Sequence, residues 1–453
     1  MKKELEFQAA YLPVGVGTFH LESAEKLFHA SVEMLEGMCE IAKPEEMLLS
    51  IDLLKEYLNA IHPDLLIIQN ITFANGAYAS EILHSFPDVP VLLWTLREPV
   101  IDGGRLRLNS LTGAYSAANA IRQMKNSPFA YVYGSPDEEK VQKEIRDVIE
   151  AAKLKKYMKH MTLASIGHTP QGFGFGRALD LDLLTSFGVH HEAIEARELI
   201  ERAKGYSDEE CASYLERAYG KMKGLEKTAA KNRLDFARLL KAYETWIGEN
   251  GIDAIASRCW PDYFTSYGTP VCAVLAMLND EGVAAACEAD GYGALSMALG
   301  MYSTGKPVFF GDPVSLNEEE NTISFWHCGT AACSLARSDT GAEVGEHCNR
   351  HIGPTMEFGC KAEKDVTIFR IGRNPDGTFR FFIAKGEALD KPKQFLGTSV
   401  VVRTADSAEK IVKETVQMGF EPHYVVIYGD MVNVLKNLAD MLNMEAVVYE
   451  GEG

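Results

Sequence analysis

Three residues able to bind a metal stand within 40 positions of one another, each behind an apolar run. In the stretch from Val283 to Gly329 the runs AAAC, PVFF and TISFW lead into Glu288, Asp312 and His327. In a parallel sheet the carboxyl ends of all strands lie on one edge, so side chains far apart in sequence can meet in one crevice. Two carboxylates and an imidazole make a mixed oxygen and nitrogen shell that suits Mn2+ and also accommodates Mg2+, Co2+ or Fe2+. They are too few to close an octahedron, which leaves positions for water or substrate. Each residue also has an ordinary structural reading. Glu288 could cap the helix opening at GYGALSMAL, Asp312 could be a turn residue before Pro313, and His327 could be a satisfied buried imidazole.

Further side chains could extend such a site. His423 opens an apolar strand near the end of the chain and could complete a four-ligand shell, and its neighbour Tyr424 could hydrogen-bond a sugar or simply pack. Trp260 follows a strand and Trp94 stands in LLWTLREP; each could stack its indole face on the apolar face of a sugar ring or be a buried core tryptophan. The loops QNITFANG and LREPVIDGGRLRLNSLTG follow apolar strands, so Gln69, Asn70 and Arg97 could reach hydroxyls or an anionic group. Ser110 reads as the cap of the next helix. The sequence has no GxSxG elbow and no papain-like cysteine signature, which argues against hydrolysis through a nucleophile.

The elements that must position these residues alternate between strand and helix patterns. FQAAYLPVG, LLIIQNI, PVLLWTL and FAYVYG read as strands, SAEKLFHASVEMLEGMCEIA as an amphipathic helix, and Ser135 as the cap of a long helix running to about Lys159. A second cycle follows, with TLASIG and HHEAIEA as strands. The loop GHTPQGFGFGRA lacks GxGxxG spacing and reads as a turn at a crevice edge rather than a dinucleotide site. DVTIFRIGR, NPDG and TFRFFIAKG then alternate every second residue, as an antiparallel hairpin does. The expected fold is α/β: two Rossmann-like parallel-sheet domains (1–158 and 159–305) followed by a β-rich C-terminal domain (306–453).

Composition narrows the function classes. A chain of 453 residues, 46% hydrophobic, can build sizeable cores. Its formal charge of −19 argues against nucleic acid or an anionic membrane as partner. No export signal or membrane-length apolar run is apparent, so the expected compartment is the cytoplasm. Seven of the nine cysteines fall between Cys259 and Cys360, and reduced thiols are expected there. Cys328, Cys333, His347, Cys348, His351 and Cys360 lie close in sequence, but no CxxC pair supports a zinc site.

The motifs CEADGYGAL, FFGDP with its aspartate 24 residues beyond Glu288, FWHCGTAA and EPHYVV together resemble the L-fucose isomerase and L-arabinose isomerase superfamily over essentially the whole chain. QNITFANG, LLWTLREP, GGRLRLNSLTG and GHTPQGFGFG are similar to its first domain and the opening of its second. The resemblance implies that Glu288 and Asp312 bind metal and move protons, with His423 a further ligand. His327 matches a ligand of the arabinose branch. The chain departs from that branch in having Pro422, His423 and Tyr424 where paired histidines stand, and it is shorter than typical fucose isomerases.

The implied activity is metal-dependent aldose–ketose isomerisation of an open-chain sugar through a cis-enediol, the carboxylates serving as base and acid. A hydride shift is the alternative chemistry. The alternatives for function are a metallohydrolase and a non-catalytic sugar-binding α/β protein. The substrate would be a neutral pentose or deoxyhexose, or an anionic sulfo-sugar such as sulfoquinovose, the latter pointed to by Arg97, Arg105 and Arg107. The resemblance further implies a homotrimer or homohexamer, with Trp94 or its loop reaching the adjacent subunit.

Overall fold

Strands buried on both faces need near-continuous apolar sequence, and the amino-terminal runs supply it. The computed structural model describes residues 5–125 and 128–451. Its first sheet contains β1 (Gln8–Val14), β2 (Glu40–Ala42), β3 (Leu65–Asn70), β4 (Val91–Thr95) and β5 (Ala130–Tyr133), all parallel, in the order β2-β1-β3-β4-β5. The strand β2 comes from the tail of a stretch expected to be wholly helical. That helix ends at Glu36, before Gly37, a poor helix former, and Glu40–Ala42 then pairs with β1.

Two expected caps are also revised. The long helix starts at Glu139, not after Ser135, whose N–H donates to Glu138 Oε1 at 2.6 Å in a preceding turn. Ser110 opens its helix without capping it. Its hydroxyl donates to the Asn70 carbonyl at 2.5 Å and accepts from the Leu96 N–H at 2.9 Å, tying the loops after β3 and β4 together.

The second sheet contains β6 (Thr162–Ile166), β7 (His190–Ile194), β8 (Ala254–Ser257) and β9 (Ala284–Ala286), parallel in the order β7-β6-β8-β9. The remaining strands are β10 (Phe309–Asn317), β11 (Thr322–His327), β12 (Val344–Gly345), β13 (Thr355–Met356), β14 (Glu363–Arg373), β15 (Phe379–Ala388), β16 (Thr398–Thr404), β17 (Tyr424–Ile427) and β18 (Glu445–Tyr449). Six of them run antiparallel in the order β14-β17-β10-β11-β16-β15, and β14 pairs back with β15 to close a barrel. The strand β18 adds in parallel to β15, while β12 and β13 form a separate ribbon. Two parallel α/β sheets and a β-rich C-terminal domain therefore make up the fold.

One expectation about the site fails here. Of the three apolar runs, only β9 is a parallel strand; β10 and β11 pair antiparallel, with Asp312 inside β10 and His327 closing β11. The chain divides into two compact units, one of residues 5–157 with Asn433–Met444, the other of Met158–Val432 with β18. Both the second sheet and the barrel belong to the latter unit.

Close approach of β10 to β11 depends on Gly311, where an added Cβ would lie 2.5 Å from the Trp326 carbonyl oxygen. Gly311→Ala should therefore lower unfolding free energy by about 1–3 kcal/mol, measured by urea denaturation.

Candidate active site

Glu288 stands two residues beyond β9, at the carboxyl edge of the second sheet. Both Glu288 (φ 53°) and Ala289 (φ 54°) adopt left-handed backbone conformations. Such a residue costs about 1–3 kcal/mol and persists only where its surroundings impose it. Here the Ala289 N–H donates to the Ser257 carbonyl at 3.0 Å, and the Asp290 N–H to that of Cys287 at 3.1 Å. Asp290, not Glu288, caps the following helix Gly291–Thr304, its Oδ1 accepting from the Gly293 N–H at 2.8 Å. The turn thereby leaves the Glu288 carboxylate unused by the helix.

The barrel supplies the facing groups. Gly311 pairs with Tyr424, and the same antiparallel register carried one step further sets Asp312 opposite His423. His423 Nε2 lies 3.4 Å from Asp312 Oδ1 and 3.8 Å from Glu288 Oε2. The His423 ring is packed by Phe310 (centroids 4.8 Å apart) and by Phe175 (5.5 Å) of the glycine-rich loop. That loop comes close because Gly176 has no side chain; a Cβ there would meet Asp290 Cα at 2.8 Å. His327 Nε2 lies 3.2 Å from Glu288 Oε2, and its Nδ1 is 3.1 Å from Thr330 Oγ1.

Asp290 is the functional residue that sequence reasoning missed. Its Oδ2 accepts from His423 Nδ1 at 2.8 Å, and its two oxygens take Arg370 Nη1 and Nη2 at 2.5 and 3.1 Å. Arg370 is 0% exposed and Asp290 likewise. The available signal was the Asp-Gly at a helix start, but its partner Arg370 is 80 residues away and no spacing connects them.

The network fixes charges as well as positions. Burial alone would raise the Asp290 pKa, yet Arg370 and His423 hold it well below the usual carboxylate range. A carboxylate cannot donate, so His423 keeps its proton on Nδ1 and turns Nε2 towards Glu288 and Asp312. His423 Nε2 then faces both carboxylates. Such a set fits a cation: adjacent donors of an octahedral dication stand roughly 3 Å apart, and His423 Nε2 lies 3.4 Å from Asp312 Oδ1 and 3.8 Å from Glu288 Oε2. Glu288, Asp312 and His423 are residues that could hold one, and Glu288 and His327 also have donor atoms within 4.8 Å of those of Cys287 and Cys328.

Glu288 and Asp312 are pushed in opposite directions. For Glu288 burial raises the pKa, but His327 and His423 outweigh it and leave it below its ordinary value. For Asp312 burial dominates, Glu288 adds to it, and the pKa rises despite His423 and His327. One carboxylate is thus the readier base and the other the readier acid.

Among the other sequence candidates, Trp260 follows β8 on the same sheet edge, its ring 6.2 Å from Phe173, which also packs on His423. Tyr424 is corrected. Strand alternation turns it to the opposite face from His423, where it meets Phe325 and Phe382 and lines a cavity of about 380 Å³ beside the helix Ala408–Met418. Trp94 is also corrected: it is fully buried in its own unit's core, with Nε1 donating to the Gly134 carbonyl at 2.9 Å, so it cannot reach another subunit. Gln69 is buried between Tyr11 and Ser31, and Asn70 is buried with a carboxamide that makes no hydrogen bond among the described residues. Arg97 forms a two-toothed pair with Glu138 at 2.7 and 2.9 Å.

Residues 327–450 match the family model described as L-fucose isomerase, C-terminal domain. Over 446 residues the chain is 60% identical to a sulfoquinovose isomerase of Clostridium sp. (strain MSTE9), spanning 98% of this chain and 100% of that one. The chain belongs to the L-fucose isomerase-like sugar isomerases. It is an aldose–ketose isomerase. This isomerase is also 38% identical over 447 residues to a sulfoquinovose isomerase of Priestia megaterium, covering 97% of this chain and 98% of that one. A third, from Alkalicoccus urumqiensis, is 36% identical over 443 residues, covering 97% and 99%. Among solved structures, the glucose-galactose binding protein GanP of Geobacillus stearothermophilus covers 67% of this chain and 93% of its own at 14% identity. Its TM-score of 0.17 carries no argument. No helix among the described residues is long and apolar enough to cross a membrane.

Loss of the Asp290 charge should strand a buried guanidinium. Asp290→Asn is expected to cost about 3–5 kcal/mol of unfolding free energy in urea titrations, and adding Arg370→Met should recover much of it. Because Asp290 titrates lower when folded than when unfolded, its contribution is complete above roughly pH 4 and lost as the pH falls further. The variant should therefore show a shallower decline of stability in acid.

Proposed function

We propose that this isomerase interconverts a sulfonated aldose of the sulfoquinovose type and its ketose, using Glu288 as base and Asp312 as acid beside a divalent cation. The observation that carries the substrate reading is the 60% identity, along the full length, to a protein named sulfoquinovose isomerase. When bound between Glu288, Asp312 and His423, a cation such as Mn2+ supplies Lewis acidity towards the sugar oxygens. Mg2+, Co2+ or Fe2+ suits the same donors.

The chain's own groups account for the proton movements. Glu288, kept ionised by its imidazole neighbours, takes the proton from C2 and returns it to C1. Asp312, whose protonated form burial favours, gives its proton to O1 and its carboxylate then takes the proton of O2, so the aldose and ketose differ only in where two hydrogens sit. Asp290 holds His423 Nδ1–H and so turns Nε2 towards the two carboxylates, where His423 orients them rather than exchanging protons with sugar. Trp260 offers a face to the ring carbons.

A sulfonate needs fixed positive charge, and the arginines that the sequence first pointed to are engaged elsewhere. Arg97 pairs with Glu138, Arg107 with Asp102, and Arg105 donates to the Thr18 carbonyl. Better placed are Arg177, which meets His168 at 3.2 Å behind β6, and Arg350, whose guanidinium lies 5.9 Å from the Trp260 ring centroid. Among the described residues neither forms an ion pair with a carboxylate, so both keep capacity for an anion. Nine unpaired thiols suit a cytoplasmic setting, and a homotrimer or homohexamer is the assembly expected of the family, to be checked by light scattering.

The test is an aldose panel assayed for ketose with Mn2+ present. Sulfoquinovose should be converted with kcat/KM well above that of glucose or fucose, and the ketose formed in D2O should carry solvent deuterium at C1. Equal or better conversion of neutral sugars would overturn the substrate reading. Glu288→Gln and Asp312→Asn should each lower kcat by at least about 100-fold in folded protein. His423→Ala should mainly weaken Mn2+ binding, with activity partly regained at high Mn2+.

A further inference from the structure

Behind Glu288 the second unit gathers thiols that the isomerase chemistry does not use. Cys272 opens the helix Cys272–Asp280, Cys328 follows β11, and His347 lies between β12 and β13. Their donor atoms all fall within 4.8 Å of one another. Cys287 Sγ and Cys328 Sγ lie within 4.8 Å of each other and of a Glu288 oxygen and a His327 nitrogen, and none of the chain's cysteines is in a disulfide. Cys272 and Cys328 are buried and His347 half-buried. We propose that Cys272, Cys328 and His347 form a zinc site that adjoins the Glu288 carboxylate, with Cys287 or a water as fourth ligand.

Three physical points support this. Tetrahedral zinc with bonds near 2.3 Å to sulfur and 2.0–2.1 Å to nitrogen sets its donors roughly 3.5–3.8 Å apart, so the observed cluster needs only a small contraction. Two thiolates and a neutral imidazole around a dication sum to zero charge, which suits a buried position. Thiolates select zinc, whereas the oxygen-rich set at Asp312 suits Mn2+ or Mg2+, so the two sites divide metals by softness. Spacing alone could not reveal this one, because Cys272 stands 56 residues before Cys328 and 75 before His347.

The site has a structural use. His347 belongs to the segment that carries Arg350, whose guanidinium lies 5.2 Å from the Phe264 ring centroid and 5.9 Å from that of Trp260. The His347 ring is itself oriented by Phe264, with centroids 5.0 Å apart, and by the Asn349 N–H on Nδ1 at 3.3 Å. Zinc would clip this segment to the helix at Cys272 and so fix Arg350 over Trp260.

Cobalt is a suitable probe, since thiolate ligation gives a near-ultraviolet charge-transfer absorption that carboxylate ligation does not. Full-length protein stripped with EDTA should develop that absorption on Co2+ addition and lose it when Zn2+ is added. Cys272→Ser should abolish it, His347→Gln should lower Zn2+ affinity at least about tenfold, and Asp312→Asn should leave it intact. No charge-transfer absorption in the wild-type protein would overturn the proposal. So would absorption and zinc affinity unchanged in His347→Gln, a half-buried loop position whose replacement leaves the fold in place even if Cys272→Ser does not.

Discussion

The contact on which the rest of the site depends is the ion pair between Asp290 and Arg370, both sealed from solvent. A guanidinium taken out of water is costly unless a carboxylate meets it with good geometry, and Asp290 does so with both oxygens. The same carboxylate caps the helix after β9 and holds His423 Nδ1, so one side chain ties the parallel sheet to the barrel. Remove it and three groups lose their partner together: a helix start, a buried cation and the imidazole facing the carboxylates.

From that anchor follows the division of labour between the carboxylates. Glu288 and Asp312 come from differently built strands, one beyond a parallel edge, the other inside a barrel strand, and their neighbours differ accordingly. His327 at 3.2 Å favours the ionised form of Glu288, whereas burial favours the protonated form of Asp312. Two like groups thus acquire opposite tendencies without any change of residue type, which is what a reaction that removes one proton while supplying another requires. The left-handed backbone at Glu288 and Ala289 belongs to the same design, since it frees the Glu288 carboxylate from capping duty.

Much of this could be read from the sequence, and the failures have physical causes. Fully buried parallel strands show as unbroken apolar runs, so β1, β3, β4, β6 and β8 were legible, and two-residue alternation exposed the β14–β15 hairpin. The runs before Asp312 and His327 looked the same as those, because Val308–Phe310 are buried and β11, although half-buried at Ser324 and Trp326, carries an apolar run of similar length. What betrays β10 as antiparallel is its exposed continuation Pro313–Asn317 and the turn to Thr322, both easily taken for loop. Trp94, Gln69 and Tyr424 were chosen by chemical type, but whether a strand residue faces a crevice or a core is decided by pleat and neighbours. Asp290 was passed over because its meaning lies in Arg370 and His423, 80 and 133 residues away.

The central proposal is that Glu288, Asp312 and His423, the last aimed by Asp290, bind one cation. Crystals of the protein grown with Mn2+ and measured for anomalous scattering test it directly. The account predicts a peak roughly 2.1 Å from Glu288 Oε2, Asp312 Oδ1 and His423 Nε2, with His423 Nδ1 still on Asp290. A map with no peak there, or a His423 ring turned so that Nε2 meets Asp290 instead, would contradict it.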